Sequence, residues 1–180
     1  MPRLLTYTMI GIDKSSRHTR ILGHFGEYLV CNWLSRSGFE VSVVDHTGMD
    51  VIAYHPPSKQ RLGITVKSRT RMQGTETDSV NIFEKAKNDR QKLLDACEAF
   101  SCEPWIGVYA ECDTCADLFL TSLENCDRKY GARGENTAYR WRMTAMLVKE
   151  YESDPEVRHI RFDFRAENWW HNRALAATAK

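Results

Sequence analysis

The paired prolines of "HPPSKQR", Pro56 and Pro57, constrain this chain more than any other short feature. Proline has no amide hydrogen to give a central ladder, so the chain must leave any sheet at this point. On either side lie "MDVIAY" and "LGITVKS", two short runs that are apolar and β-branched. Two such runs around a proline turn read as an antiparallel hairpin. Closed between Tyr54 and Arg61, that hairpin sets Asp50 opposite Thr65. Side chains alternate faces with period two, so Thr65 and Lys67 share a face and Asp50 meets it across the strand gap. A carboxylate, a hydroxyl and an ammonium thus converge at one end of a sheet, where burial would favour hydrophobes.

The rest of the chain supplies elements to surround the hairpin. From about Arg17 to Ser37, Ile21, Leu22, Phe25, Leu29, Trp33 and Leu34 recur at helical spacing, and Gly38 ends the run. "FEVSVV" then alternates as a strand, and "DHTG" turns the chain. "NIFEKAKNDRQKLLDACEAF" reads as a second helix through Phe83, Ala86, Leu93, Leu94, Cys97 and Phe100. "PWIGVYAE" and "ADLFLTSL" are strands around a "CDTC" turn. The tail predicts a helix near Tyr139 to Tyr151, a strand "VRHIRFDF" and a closing "ENWWHNRALAATAK". The expected fold class is α/β: a mixed central sheet flanked by helices, core order α-β-β-β-α-β-β, with a C-terminal α/β elaboration. Residues 1–16 read as an N-terminal extension, 17–123 as the core and 124–180 as the elaboration packed on it.

Composition narrows the classes. With 180 residues, 42% apolar and 27% charged, the chain suits one ordinary domain with its own core. No run approaches the roughly 18 to 20 apolar residues that a bilayer-spanning helix needs, so no membrane partner is expected. The opening lacks a signal-peptide cleavage pattern, and a cytoplasmic location is the expectation. Net charge is only +1, yet "RHTR", "KSRTR" and Lys85, Lys87, Arg90 and Lys92 form local basic pockets that could meet a phosphate backbone. Of the six cysteines, Cys112 and Cys115 alone have ligand-like spacing. Cys102 and Cys126 do not complete a tetrahedron with them, so the pair reads as thiols in a turn. "SSRH" with His18 has no nucleophile elbow to make a triad, and no glycine-rich cradle indicates a nucleotide cofactor. Trp141, Trp169 and Trp170 could stack on bases but read first as core lids.

The first helix adds Glu27 to the polar set. Arg20, His24 and Glu27 fall along one stripe, opposite the Leu22, Phe25, Leu29 and Trp33 side, with Gly23 and Gly26 beside it. Glycine costs about 1 kcal/mol inside a helix, which points to something approaching closely.

Taken together, "GHFGEYLVCNWLSRSGFEV", "GMD" and "GITVKS" resemble the PD-(D/E)XK nuclease superfamily, and within it archaeal Holliday-junction resolvases and tRNA-endonuclease-like domains. The resemblance runs from about Arg17 to Leu123 and implies a restriction-endonuclease-like fold. It implies Glu27 as the helical carboxylate, Asp50 as metal ligand, Lys67 as the group that polarises the attacking water, and Mg²⁺ or Mn²⁺ as cofactor. Thr65 stands where the family has Glu, Asp or Gln two residues before the lysine, and a hydroxyl is a weaker ligand for a hard cation. Glu27 or a migrated acid, Glu84 or Glu76, then supplies the charge; or the Val66 carbonyl and Glu27 suffice with Asp50 and Thr65; or the domain binds nucleic acid without cutting. The implied partner is nucleic acid, DNA before RNA, with Arg20, His24, Ser68, Arg69 and Arg71 as phosphate contacts. A homodimer follows from the resemblance alone. The rival readings are an inactive nucleic-acid-binding module and an interaction protein whose acids and lysine form a structural network.

Overall fold

The computed structural model describes residues 14–71, 79–84, 87–112, 115–131 and 139–163. Helix α1 spans His18–Arg36, followed by β1 (Glu40–Val43), β2 (Val51–His55) and β3 (Gln60–Thr70). Then come β4 (Ser79–Phe83), α2 (Asp89–Ala99), β5 (Glu103–Glu111) and β6 (Cys115–Ser122). A single helical turn α3 (Leu123–Asn125) widens into a π-type turn at Cys126–Tyr130, and β7 (Tyr139–Arg142), α4 (Ala145–Ser153) and β8 (Arg158–Asp163) complete the order. No helix among the described residues is long and apolar enough to cross a membrane.

Six strands form one mixed sheet in the order β1-β2-β3-β5-β6-β8. The proline hairpin has the register expected of it: Tyr54 pairs Arg61 and Val51 pairs Ile64. Its two ends meet through the turn at "PPSK", where Lys59 takes φ 57°. Among the described residues one parallel pairing is present, β3 with β5, from Leu62↔Glu103 to Thr70↔Glu111. A parallel neighbour cannot be reached by a tight turn, which is why β4 and α2 intervene.

Two apolar layers clamp this sheet. On one face Leu22, Val30, Cys31 and Leu34 of α1 pack on Val51, Ala53, Leu62, Ile64, Val66 and Leu118. On the other, Leu93, Ala96 and Cys97 of α2 pack with Met49, Ile106, Val108 and Phe119. Fully burying one such side chain contributes about 1.5–3 kcal/mol, so the two clusters hold the helices to their faces.

Three expectations are corrected. Phe83 ends strand β4 rather than opening the second helix, which starts at Asp89. β4 pairs antiparallel with β7 in a separate two-stranded sheet, Val80 opposite Trp141. The expected helix near Tyr139 therefore begins only at Ala145, after the Thr144 hydroxyl accepts from Leu147 N at 3.5 Å as an N-cap. "YRWR" alternates, burying Trp141 between two exposed arginines, and that period of two marks a strand. Trp141 is 1% exposed and stacks on Tyr151 at 4.1 Å, which makes it core.

Third, α1 is rolled relative to its apolar pattern. Ile21 and Phe25, expected inside, are 60% and 47% exposed, while Gly26 is buried. A Cβ at Gly26 would land on Ser68 Oγ and touch Tyr109 Cβ at 3.4 Å, so glycine lets the helix backbone settle on β3 and β5. At Gly23 nothing lies within 4 Å.

Candidate functional site

Asp50 sits immediately before β2, after a turn that is tightly held. Met49 is 1% exposed and belongs to the α2-side core. Gly48 lies against α2 so closely that a Cβ there would stand 2.6 Å from the Lys92 carbonyl carbon and 3.0 Å from Ala96 Cβ. Backbone bonds fix Asp50 from both sides: its N–H donates to Ile64 O at 2.8 Å, and its carbonyl accepts from Val44 N at 2.8 Å. The expected opposition of Asp50 and Thr65 is thereby realised one pair beyond the regular hairpin.

The Asp50 carboxylate is then oriented by β3. Its Oδ2 accepts from Val66 N at 2.6 Å and from the Thr65 hydroxyl at 3.2 Å. Thr65 is 4% exposed, and with its proton committed to Asp50 it serves the neighbouring carboxylate. Lys67 follows on the same strand face and is half-buried. Among the described residues Lys67 enters no ion pair.

Glu27 approaches from α1. Burial, and after it the charge of Asp50, push its carboxyl up from the ordinary range. A hydrogen bond and the charge of His24 pull the other way, with His24 Nδ1 at 3.5 Å from Glu27 Oε2. Asp45, in the turn after β1, adds a further upward push. Asp50 and Glu27, both half-buried, therefore feel one another's charge, and repulsion of this kind is relieved by a cation between them.

A pair of carboxylates suits a magnesium-type ion, which keeps several waters and takes one or two carboxylates from protein. A closed all-protein cage is a different matter: no group of three or more His, Cys, Asp or Glu side chains is placed to hold a metal among the described residues. Asp50 and Glu27 are the acids here that could hold such an ion, and the Thr65 hydroxyl is turned toward Asp50 instead of offering a further ligand. Of the migrated acids, Glu84 pairs with Lys87 at 2.8 Å, while Glu76 lies outside the described residues.

The expected phosphate contacts divide. Arg20 and His24 are exposed on α1, the helix that carries Glu27. Arg69 is half-buried and donates to Ser68 O at 3.0 Å. Arg71 reaches Met143 O at 3.2 Å. Ser68 is 8% exposed and its Oγ is enclosed under α1 with no hydrogen-bond partner among the described residues, so its hydroxyl is withheld from a surface ligand by the same close approach that Gly26 permits. Trp169 and Trp170 lie outside the described residues.

One polar cluster escaped the sequence reading. His18 Nε2 lies 2.8 Å from Glu111 Oε1 and 3.1 Å from Thr70 Oγ1, and Thr70 donates to the same Glu111 oxygen at 2.9 Å. Tyr109 OH donates to Glu111 Oε2 at 3.4 Å, and burial followed by the Glu111 charge pushes that phenol up. These bonds fasten the start of α1 to the ends of β3 and β5. No local signal could have joined residues so far apart in sequence.

No family model matches the chain. No curated protein matches it either. Among solved structures it is similar to Hjc, a Holliday junction resolvase from Archaeoglobus fulgidus, with 14% identity and a TM-score of 0.48 over 71% of this chain and 88% of that one.

Proposed function

We propose that this chain is a metal-dependent phosphodiesterase of nucleic acid, an endonuclease acting on DNA before RNA, in the manner of the PD-(D/E)XK resemblance. The observation that carries the reading is the oriented Asp50 carboxylate, seated by Val66 N and Thr65, with Lys67 on the same face and Glu27 electrically coupled to it. Asp50 and Glu27 would hold Mg²⁺ or Mn²⁺; when bound, the ion supplies Lewis-acid stabilisation of phosphoryl charge. Thr65 and Val66 keep one Asp50 oxygen fixed, which leaves the other for a cation. Lys67 places a cation where charge develops on the phosphate oxygens and holds the attacking water by its N–H donors. Arg20 and His24 on α1, with Arg69, meet the backbone and set register without reading sequence. The basic pockets and the acid pair together favour a substrate whose phosphate arrives with its counter-ion.

A second reading has one observation in its favour. The position beside Asp50 carries a hydroxyl that is already spent on that carboxylate, which lowers the negative charge available to a cation. This supports a nucleic-acid-binding module that keeps the architecture and does not cut.

Cleavage separates the two. Labelled single-stranded, duplex, flapped and four-way-junction DNA, with a matched RNA, is incubated in Mg²⁺ and in Mn²⁺ with the parent, Asp50→Asn and Lys67→Ala. Cutting that both substitutions reduce by 100-fold or more supports the nuclease, and the preferred strand geometry names its substrate. A folded parent that binds DNA without cutting it in either ion overturns the enzyme reading and leaves the module.

A further inference from the structure

Cys112, just after β5, and Cys115, at the start of β6, bring two sulfurs into contact. Cys112 N donates to Cys115 O at 2.7 Å, continuing the register that ends at Glu111↔Ala116. The Cys112 and Cys115 Sγ atoms stand 3.0 Å apart, and Cys112 Sγ lies 3.1 Å from Cys115 O. That separation lies between the spacings of two chemistries. Two thiolates on tetrahedral zinc, each with a bond of about 2.3 Å, stand about 3.8 Å apart. A disulfide brings the sulfurs to about 2.05 Å. What favours sulfur chemistry over a metal is that no third ligand group completes a metal site among the described residues.

The surroundings fit sulfur exchange. Cys115 is half-exposed and Cys112 is 8% exposed, so a small oxidant reaches the pair from the Cys115 side. Arg161 Nη2, on the neighbouring strand β8, lies 3.6 Å from Cys115 Sγ and places a cation where a thiolate forms. The Cys112 hydrogen bond, and after it burial, push the Cys115 thiol up. That push keeps the resting pair protonated, and exchange runs through the minor monoanion, in which one sulfur carries the charge and the other keeps the shared proton.

We propose that Cys112 and Cys115 form a two-electron thiol–disulfide site whose oxidant is a low-molecular-weight disulfide such as glutathione disulfide. A thiolate of the pair attacks one glutathione sulfur, forming a mixed disulfide and releasing glutathione thiolate. The second cysteine gives its proton to solvent and attacks the protein sulfur of the mixed disulfide, releasing the second glutathione. Two protein thiols are oxidised to one disulfide, and one glutathione disulfide is reduced to two glutathione molecules. The bridge ties Cys112 to Cys115 next to Glu111, whose carboxylate holds His18, so the redox state acts on the anchor of α1. The site does not depend on the nuclease reading.

The test uses the full chain. Parent, Cys112→Ser and Cys115→Ser are equilibrated with excess glutathione disulfide, alkylated with N-ethylmaleimide and analysed by intact mass and peptide mapping. The parent is expected to lose two alkylation sites, with the peptide holding residues 112 and 115 lighter than its reduced thiol form by about 2 Da, and dithiothreitol restores both sites. Each single variant is expected to trap glutathione on its remaining cysteine of the pair instead of closing a bridge. Full alkylation of both cysteines in the oxidised, folded parent overturns the proposal. So does loss of two sites that persists in Cys112→Ser, or equimolar zinc retained after dialysis that shields both thiols.

Discussion

Replacing Gly48 with alanine tests how the Asp50 turn is held. The added Cβ would stand 2.6 Å from the Lys92 carbonyl carbon and 3.0 Å from Ala96 Cβ. Ordinary contact begins near 3.4 Å and the Lys92 carbonyl oxygen stands nearer than its carbon, so α2 or the turn must yield by more than about 0.8 Å, and the nearest atoms in the way are helix backbone that cannot rotate aside. Overpacking of this kind costs about 1–3 kcal/mol. Gly48 has no positive φ, which leaves the contact as the source of the cost. Gly23→Ala is the matched control: nothing lies within 4 Å, and a solvent-side glycine in a helix gains about 0.5–1 kcal/mol as alanine. Urea unfolding followed by circular dichroism should show opposite shifts in the midpoint, and a change of 1 kcal/mol should move Tm by about 2–4 °C. Gly48→Ala within 0.5 kcal/mol of the parent would refute the close approach of the turn to α2.

Other substitutions probe the charges. Asp50→Ala removes the acceptor for Val66 N and the Thr65 hydroxyl and should cost about 1–3 kcal/mol in urea unfolding even without metal; a loss below 0.5 kcal/mol would deny those bonds. Thr65→Glu sets a third acid beside Asp50 and Glu27, so it should lower Tm in EDTA and regain more than the parent from 10 mM Mn²⁺, an outcome read by differential scanning calorimetry. Burial opposes the charge of Asp154, but hydrogen bonds from Lys129, Tyr130, Glu156 N and Asn125 outweigh it and hold the carboxyl well below the usual range. A depressed folded pKa gives stability that is complete above the unfolded value of about 4 and is lost as pH falls toward the folded one. Asp154→Asn should therefore cost about 1.5–3 kcal/mol at pH 7, the same at pH 5, and progressively less below pH 4; a cost that grows on acidification would reverse the assigned sign.

The sequence disclosed what is local. The hairpin register follows from a proline turn and period-two alternation, and it correctly opposes Asp50 to Thr65. The roll of α1 was hidden, because hydropathy favours burying Phe25, whereas close backbone packing on Ser68 and Tyr109 selects Gly26. β4 was hidden by "NIFEKAK", whose apolar spacing serves a helix as well as a strand, and its partner β7 lies far along the chain. The site divides in the same way: Asp50, Thr65 and Lys67 are legible on two adjacent strands. Enclosure of Ser68, the pull of Asp45 on Glu27 and the His18–Glu111 anchor depend on long-range packing that no spacing encodes.

Asp50 and Glu27 are proposed to share one divalent cation. Calorimetric titration of Mn²⁺ into the parent, Asp50→Asn and Glu27→Gln checks this. One site is expected in the parent, weakened at least tenfold by either substitution, with folded circular dichroism spectra throughout. Binding that both variants keep unchanged, or no binding by the folded parent at millimolar Mn²⁺, would contradict it.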